Sequence, residues 1–220
     1  MNLSKRLQTI YDMVALDEVV ADIGADHGKL LISLFLDGKI AHGYAIENKQ
    51  GPFKRLCLAI EAKGLCDDVV PILADGISEL PPSVGTVIIA GMGGKTIVNI
   101  LKSHIEKLKN VKTIIIDAHS SIPFVRKEVS ELGYVIADEK IVKEDNIYYE
   151  IIKFVKADIA FYNDQDLNFG PILRNEKSTL FKEKYKERLE KIDHILSSKN
   201  VPETKVELLS KEKKMIQGIL

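Results

Sequence analysis

Short runs of β-branched residues alternate with stretches of helical periodicity between residues 18 and 156. The runs predict strands over residues 19–23, 42–46, 69–73, 84–90, 112–117, 133–138 and 147–155, and the stretches between them predict helices over 29–36, 51–63, 95–108 and 122–132. The segment 95–108 shows the helical pattern most clearly, because Ile97, Leu101 and Leu108 fall on one face. This alternation is typical of an α/β fold, in which helices cover both faces of a largely parallel sheet.

The last two predicted strands follow each other without a helix between them. The polar residues 143–146 separate them and are suited to a tight turn. We therefore expect a hairpin that places one antiparallel strand in an otherwise parallel sheet of seven strands.

The two ends of the chain have different patterns. An amphipathic helix is predicted over residues 3–16, and residues 157–171 are rich in Asp, Asn and Gly, as in a connector. Two further amphipathic segments follow, and the residues 197–202 interrupt them, with Pro202 where a helix can begin. This pattern predicts a first domain over residues 1–157 and, over 158–220, a connector followed by a two-helix antiparallel coiled coil.

Composition limits the classes of protein that remain. Of 220 residues, 45% are hydrophobic, which is enough for a core and excludes global disorder. The 31 Lys and Arg nearly balance the 32 Asp and Glu, so the net charge points to no particular partner. Apolar runs are too short to cross a membrane, and the first residues do not form a secretory signal. These features predict a cytoplasmic protein.

The loop over residues 22–28 has the sequence Asp-Ile-Gly-Ala-Asp-His-Gly and follows the first predicted strand. In an open α/β sheet this position lies at the ligand crevice, where Gly24 allows the backbone to approach a ligand. Asp22 and Asp26 would repel a pyrophosphate but suit a ligand with an ammonium group, such as S-adenosylmethionine. In a purely structural interpretation, Asp26 caps the next helix and Asp22 stabilises a turn.

Acidic residues also follow the second and third predicted strands. Glu47, next to Asn48, lies where an acidic side chain commonly binds ribose hydroxyls. Asp75, followed by Gly76, could accept a hydrogen bond from an adenine amino group, although an Asp-Gly pair often forms only a turn. Three acidic residues at the ends of three successive strands favour a nucleoside site.

A glycine-rich loop follows the fourth predicted strand, with the sequence Ala-Gly-Met-Gly-Gly over residues 90–94. A phosphate-binding loop would need glycine at position 89, which is Ile. Gly91, Gly93 and Gly94 can instead form a flat wall for a planar base, with Met92 close to the base or the cofactor. Tight packing between helix and strand is the alternative, and for Gly94 it is the preferred one.

With these motifs, the chain resembles a class I S-adenosylmethionine-dependent methyltransferase, most closely the bacterial tRNA adenine-22 N1-methyltransferase family. The resemblance is carried by residues 3–8, 21–27, 75–76, 89–94, 149–150 and 170–177. The chain departs from the family at two places near the crevice. Gly28-Lys29 stands where the family usually has Ala-Tyr, and Asp117-Ala118-His119 stands where it tends to have Gln-Pro-Asn.

The resemblance implies a Rossmann-like methyltransferase sheet and transfer of a methyl group from S-adenosylmethionine to N1 of adenine 22, in the D-stem region of tRNA. N1 lies on the pairing edge, so the base must turn out of the helix. We expect the cofactor to contact Asp22, Gly24, Asp26, His27, Glu47, Asn48, Asp75, Gly76, Gly91 and Met92. We expect the tRNA to contact Lys5, Arg6, Gly93, Gly94, Lys182, Lys186 and Lys191, with Asp26 as the catalytic residue.

Two other functions are compatible with the motifs. A non-catalytic RNA-binding scaffold could keep the fold without binding the cofactor. A metal-dependent phosphoesterase could use Asp22, Asp26, His27 and Asp75, but only if they converged on one ion. A dehydrogenase is disfavoured because the carboxylates would repel its pyrophosphate. We expect no metal ion, no membrane, no obligate protein partner and a monomer, with tRNA as the partner.

Overall fold

The computed structural model describes residues 2–157, 160–198 and 201–220. The chain divides into two compact units, Met1–Phe161 and Tyr162–Leu220. The predicted domain boundary lies between residues 157 and 158. Residues 158 and 159 lie outside the described residues, so this boundary stays a prediction.

A seven-stranded mixed sheet forms the first unit and confirms the predicted fold class. Its strands are β1 (Glu18–Ile23), β2 (Ile40–Glu47), β3 (Val69–Leu73), β4 (Thr86–Met92), β5 (Thr113–Ala118), β6 (Tyr134–Glu144) and β7 (Ile147–Lys156). Their order is β3-β2-β1-β4-β5-β7-β6, and β7 is antiparallel to both of its neighbours. The strand order reverses between β1 and β4, which is where such sheets open a crevice at the carboxyl ends of their strands.

The helices of this unit are α1 (Lys5–Met13), α2 (Lys29–Leu36), α3 (Gln50–Glu61), α4 (Gly94–Ser103), a 3-10 helix (Ile105–Asn110) and α5 (Ile122–Glu131). The single helix predicted over 95–108 is wrong beyond Ser103. The Ser103 hydroxyl donates a hydrogen bond to the Asn99 carbonyl, and His104 leaves helical geometry with φ −140°. Ile105, which a continuous helix would place on the same face as Ile97, Leu101 and Leu108, is 54% exposed.

The core lies between the sheet and its helices. The central strands contribute fully buried branched residues such as Val20, Ile88 and Ile115, and α2 and α3 contribute Leu31 and Leu56. Each such side chain stabilises the fold by about 1.5–3 kcal/mol relative to exposure. Because the central strands are covered on both faces, their sequences are continuous apolar runs rather than alternating ones.

A buried ionic cluster fastens the β6–β7 hairpin to α5. Arg126 donates from Nε to Glu139 Oε1 at 2.8 Å and from Nη2 to Glu150 Oε2 at 2.6 Å. Burial by itself lowers the pKa of the Arg126 guanidinium, but the adjacent Glu150 and Glu139 outweigh it and raise that pKa. The guanidinium therefore stays charged and links α5 to β6 and β7.

The second unit contains α6 (Asp164–Phe169), α7 (Pro171–Glu176), α8 (Thr179–Leu196) and α9 (Glu203–Gln217). The predicted connector 157–171 therefore contains a helix, which begins with a capping box between Asn163 and Asp166. Arg188 of α8 makes a paired contact with Glu212 of α9 at 2.6 and 2.7 Å.

The coiled-coil packing of α8 and α9 stays a prediction. The predicted interruption over 197–202 includes residues 199 and 200, which lie outside the described residues. Throughout the part of the chain that the structure describes, every helix is too short or too polar to span a bilayer.

Candidate functional site

A cleft of about 210 Å³ lies beside the carboxyl ends of β1 and β4. Its lining comes from α1, from the end of β1 with the following loop and the start of α2, and from Ala90 near the end of β4. The predicted residues that line it are Arg6, Asp22, Gly24, Asp26 and His27. The fold thus brings residues from three separate parts of the sequence to the place that the strand order opens.

Asp22 is the buried carboxyl group of this cleft. Asp22 is only 7% exposed. Burial raises the pKa of its carboxyl group from the ordinary 3.8 to about 7, although the nearby Arg6 charge acts in the opposite direction. A group with this pKa is neutral or charged near neutral pH depending on what approaches it. A cationic ligand would therefore favour the ionised carboxylate.

The loop after β1 has a backbone that only particular residues tolerate. Gly24 has φ +77°, and its amide donates to the Ile46 carbonyl at 2.7 Å. A side chain at this position would meet the terminal methyl of Met92. Glycine at position 24 therefore leaves room for Met92, so that the loop after β4 can pack against the loop after β1.

Asp26 does not cap α2, so the structural interpretation of this residue is wrong. The N-cap is Gly28, in the left-handed conformation at φ +64° and without a side-chain cap. Asp26 itself has φ +46°, and its side chain is 63% exposed. Its carboxylate lies 3.7 Å from His27 Nε2 and 3.9 Å from Arg55 Nη2. It is therefore accessible to a ligand in the cleft.

The ends of β2 and β3 are joined by side chains. Asn48 Nδ2 donates to Asp75 Oδ1 at 3.1 Å. Glu47 Oε1 accepts from the backbone amides of Asn48 and Lys49 at 3.1 and 3.0 Å, so its other oxygen, Oε2, takes no part in that turn. Gly76 is buried, and a Cβ there would lie 2.9 Å from the Ile100 side chain. The structure thus assigns Gly76 to packing while Glu47 and Asp75 keep carboxylate oxygens for a ligand.

A β-bulge changes the path of the chain at the end of β4. The pairing with β5 shifts between Ala90 and Met92, and Gly91 has φ +79°. Such bulges redirect side chains beside active sites. After the bulge, the Met92 carbonyl accepts from the His119 amide at 2.9 Å, which ties the loop to the end of β5.

The two glycines after the bulge pack against the loop that follows β5. A Cβ on Gly94 would lie 2.4 Å from the Ser120 carbonyl oxygen and 2.7 Å from Val125. A Cβ on Gly93 would lie 3.3 Å from Ser120 Oγ. Gly94 therefore serves the tight packing that the sequence favoured for it.

Arg6 lies inside the cleft rather than on the surface where a tRNA phosphate would be expected to meet it. Arg6 Nη1 donates to Asp117 Oδ2 at 2.5 Å, and the guanidinium lies 5.4 Å from the centre of the Tyr149 ring. His119 Nε2 lies 4.0 Å from the same carboxylate oxygen.

Sequence reasoning assigned no role to Asp117, His119 or Tyr149 in this arrangement. One signal was available, since Asp117 ends a buried apolar strand just as Asp22 does.

The predicted lysine contacts lie on exposed surfaces. Lys5 is at the exposed start of α1, where its backbone amide donates to Glu144 Oε1 at 2.9 Å. Lys182, Lys186 and Lys191 are exposed on α8 in the second unit.

The acidic residues of the cleft do not form a metal site. Among the residues that the structure describes, no group of three His, Cys, Asp or Glu side chains lies close enough to hold an ion. The phosphoesterase alternative required Asp22, Asp26, His27 and Asp75 to converge, and in the structure they do not.

Comparison with known proteins gives one consistent result. A family model described as tRNA (adenine(22)-N(1))-methyltransferase matches residues 20–218. The protein of that name from Bacillus subtilis (strain 168) is 31% identical over 196 residues, which cover 86% of this chain and 82% of the relative.

Solved structures agree over the whole length. A Streptococcus pneumoniae protein in complex with S-adenosyl-L-methionine superposes with a TM-score of 0.92 at 29% identity and covers 100% of both chains. The structure of M. capricolum TrmK in complex with S-adenosyl-homocysteine gives a TM-score of 0.88 at 25% identity, covering 98% of this chain and 96% of that one.

Proposed function

The chain belongs to the tRNA (adenine(22)-N(1))-methyltransferase family, and from that premise we propose how its cleft performs the methyl transfer. The protein is an S-adenosylmethionine-dependent enzyme that methylates N1 of adenine 22 in tRNA. The observation that carries the proposal is the buried Asp22 carboxyl group at the end of β1, in a cleft that Asp26 also lines and where Arg6 is already engaged by Asp117.

The residues of the cleft and of the neighbouring ends of β2 and β3 fit this cofactor. Asp22 would face its ammonium group, with Gly24 and His27 beside the methionine end. Glu47, through Oε2, would bind the ribose hydroxyls, and Asp75 with Asn48 would meet the adenine ring. When bound, S-adenosylmethionine supplies a methyl group on a positively charged sulfur. The carboxylates suit this positive charge, which a phosphate-bearing nucleotide lacks.

The protein's part in the reaction is alignment rather than proton abstraction. Adenine N1 carries a lone pair at neutral pH, so no strong base is needed. Holding the base and the methyl group in line removes much of the entropic barrier. We propose that the backbone at Gly91 and Gly93 forms the wall for the turned-out base, beside Met92.

Asp26 is proposed as the catalytic residue because positive charge develops on the adenine ring as N1 is methylated. An exposed carboxylate that accepts a hydrogen bond from the adenine amino group would stabilise this charge. We expect Asp26→Asn to lower kcat about tenfold or more, with cofactor affinity changed by only a few-fold. Asn tolerates the left-handed backbone at this position, so the loop is preserved. Calorimetry and single-turnover rates separate the two effects, and a loss of cofactor binding alone would assign Asp26 to the cofactor.

The raised pKa of Asp22 predicts a pH dependence of cofactor binding. Below about pH 7 the carboxyl group is protonated, and the proton must leave before the carboxylate can pair with an ammonium group. We expect the Kd for S-adenosylmethionine to rise about tenfold for each pH unit below about 7. Calorimetry across this range measures it. The Asp22→Asn variant should lack this pH dependence of Kd. An identical pH profile in that variant would contradict the contact between Asp22 and the cofactor.

The direct test of the function uses labelled cofactor. The protein is incubated with S-adenosylmethionine tritiated in the methyl group and a tRNA transcript, and the nucleosides are then separated. We expect label in 1-methyladenosine and none when guanosine replaces adenosine at position 22. Transfer to another nucleoside, or equal labelling of the guanosine transcript, would overturn the proposal.

Contacts with the body of the tRNA are proposed for Lys5, Lys182, Lys186 and Lys191, whose exposed ammonium groups can meet phosphates. A tRNA substrate also favours a cytoplasmic location. We further propose that the protein works as a monomer without an obligate protein partner.

A further inference from the structure

We propose that His119 is a specificity-determining residue that accepts a hydrogen bond from the exocyclic amino group of the target adenine, with Asp117 as its positioning residue. This inference rests on the proposed function and extends it to the recognition of the base. It follows from four side chains that lie close to one another, two of them beside Gly91: Arg6 of α1, Asp117 and His119 at the end of β5, and Tyr149 near the start of β7.

Gly91 leaves a space between two polar side chains. The place where its Cβ would stand lies 3.6 Å from Arg6 Nη1 and 4.0 Å from both Cε1 and Nε2 of His119. Because Gly91 is exposed and forms the bulge of β4, this space opens to solvent. A planar ring lying on the Gly91 backbone would thus be within reach of both the guanidinium and the imidazole.

His119 is held in place but remains accessible. Its backbone amide is bound to the Met92 carbonyl at 2.9 Å, and its ring meets the Tyr149 ring edge-on, with centres 5.6 Å apart. The imidazole side chain is nevertheless 45% exposed. A side chain that is fixed at its backbone and on one edge, and open on the other, is prepared to bind a ligand without much loss of entropy.

Asp117 is fully buried and organises the cluster. Its Oδ2 accepts from Arg6 at 2.5 Å and faces His119 Nε2 at 4.0 Å. Its Oδ1 accepts no hydrogen bond from any of the described residues. A buried carboxylate with one unused oxygen is costly, which points to a role beyond packing. Here it holds Arg6 by a hydrogen bond and lies close enough to the His119 imidazole to influence its orientation.

The chemistry of adenine explains why a hydrogen-bond acceptor such as His119 suits its amino group. When N1 faces the methyl donor, the amino group on the adjacent carbon is the nearest hydrogen-bond donor of the base. A neutral imidazole has one nitrogen with a lone pair that can accept from it. Guanine carries a carbonyl oxygen at the same place, so two acceptors would face each other. The amino group has two hydrogens, so His119 and Asp26 can each accept one.

The contact should strengthen as the reaction proceeds. Methylation at N1 places positive charge on the ring, which makes the amino hydrogens better donors. An interaction that is stronger in the transition state than in the bound substrate raises the rate. His119 is therefore expected to affect kcat as well as discrimination between bases.

The test pairs a protein variant with a change in the base. Wild-type enzyme and His119→Phe are assayed on full-length tRNA carrying adenosine or purine riboside, which lacks the amino group, at position 22. Phe keeps an aromatic ring against Tyr149 but cannot accept a hydrogen bond. We expect His119→Phe to lower kcat/KM about 30-fold on adenosine and no more than about twofold on purine riboside. His119→Asn, which keeps an acceptor, should recover part of the loss.

The outcomes distinguish this inference from the proposed function. An equal loss on both bases would overturn the role of His119 in reading the amino group, as would a loss of S-adenosylmethionine affinity in His119→Phe measured by calorimetry. Failure of the wild-type enzyme to methylate N1 of adenosine 22 would instead overturn the proposed function. Unchanged cofactor affinity and melting temperature in His119→Phe are expected.

Discussion

Asp22→Asn should weaken S-adenosylmethionine binding by about 30- to 150-fold. The substitution keeps the size and shape of the side chain but removes the charge that we propose faces the ammonium group of the cofactor. Loss of a charge-assisted hydrogen bond costs about 2–3 kcal/mol, which corresponds to that change in Kd. Calorimetry at about pH 8, where the wild-type carboxyl group is ionised, gives the largest difference.

The same substitution should not destabilise the unliganded protein. The pKa of Asp22 is about 7 in the folded protein, compared with 3.8 ordinarily, so the folded state binds the proton more tightly than the unfolded chain. Stability therefore falls as pH rises towards 7, and above it the buried charge costs the folded state most. At about pH 8, Asp22→Asn should melt at the same temperature as the wild type or higher.

A matched control for Asp22 is Asp67→Asn, because Asp67 is exposed and far from the cleft lining. It should change neither Kd nor the melting temperature. If Asp22→Asn instead lowered the melting temperature together with the affinity, the carboxylate would be part of the scaffold rather than the ligand site.

Arg126→Met is expected to lower the free energy of unfolding by about 3–5 kcal/mol. The change removes the cation that the buried Glu139 and Glu150 share, and removing one partner from a buried ion pair is strongly destabilising. Urea denaturation followed by circular dichroism measures the effect.

The neighbouring Lys127→Met provides the control for that measurement. Lys127 is exposed and makes only a 3.9 Å pair with Glu131 on the same helix, so the cost should stay within about 0.5 kcal/mol. Equal effects of the two substitutions would show that the buried cluster contributes nothing special to stability.

The sheet could be predicted from the sequence because its information is local. Most strands are apolar runs bounded by polar or glycine-rich loops, and the hairpin of β6 and β7 is marked by a short polar turn. The exception is β6, whose polar residues from Asp138 onwards concealed its continuation to Glu144. Helix ends were harder to predict. The hydrophobic period runs on through His104, but the backbone changes there, since Ser103 bonds to the preceding turn. The helix α6 begins with a capping box, a local pattern that residues 163–166 of the sequence contain.

The candidate site could be located from the sequence, but its connections could not. Asp22, Gly24 and Asp26 share one loop, so their proximity follows from the chain itself. The pairing of Arg6 with Asp117 joins residues 111 positions apart, and no local pattern records it. Likewise, Asn48 and Asp75 were expected at neighbouring strand ends, but the direct hydrogen bond between them is seen only in the structure.

The first helix has a practical consequence for preparing shorter versions of this protein. All seven strands follow residue 17, and the family match starts at residue 20, so a cloning boundary drawn from either would remove α1. That fragment would keep every strand, yet it would expose the core surface covered by Ile10 and leave the Asp117 carboxylate without its cation. The smallest useful catalytic fragment therefore begins upstream of Ser4, whose side chain caps the helix.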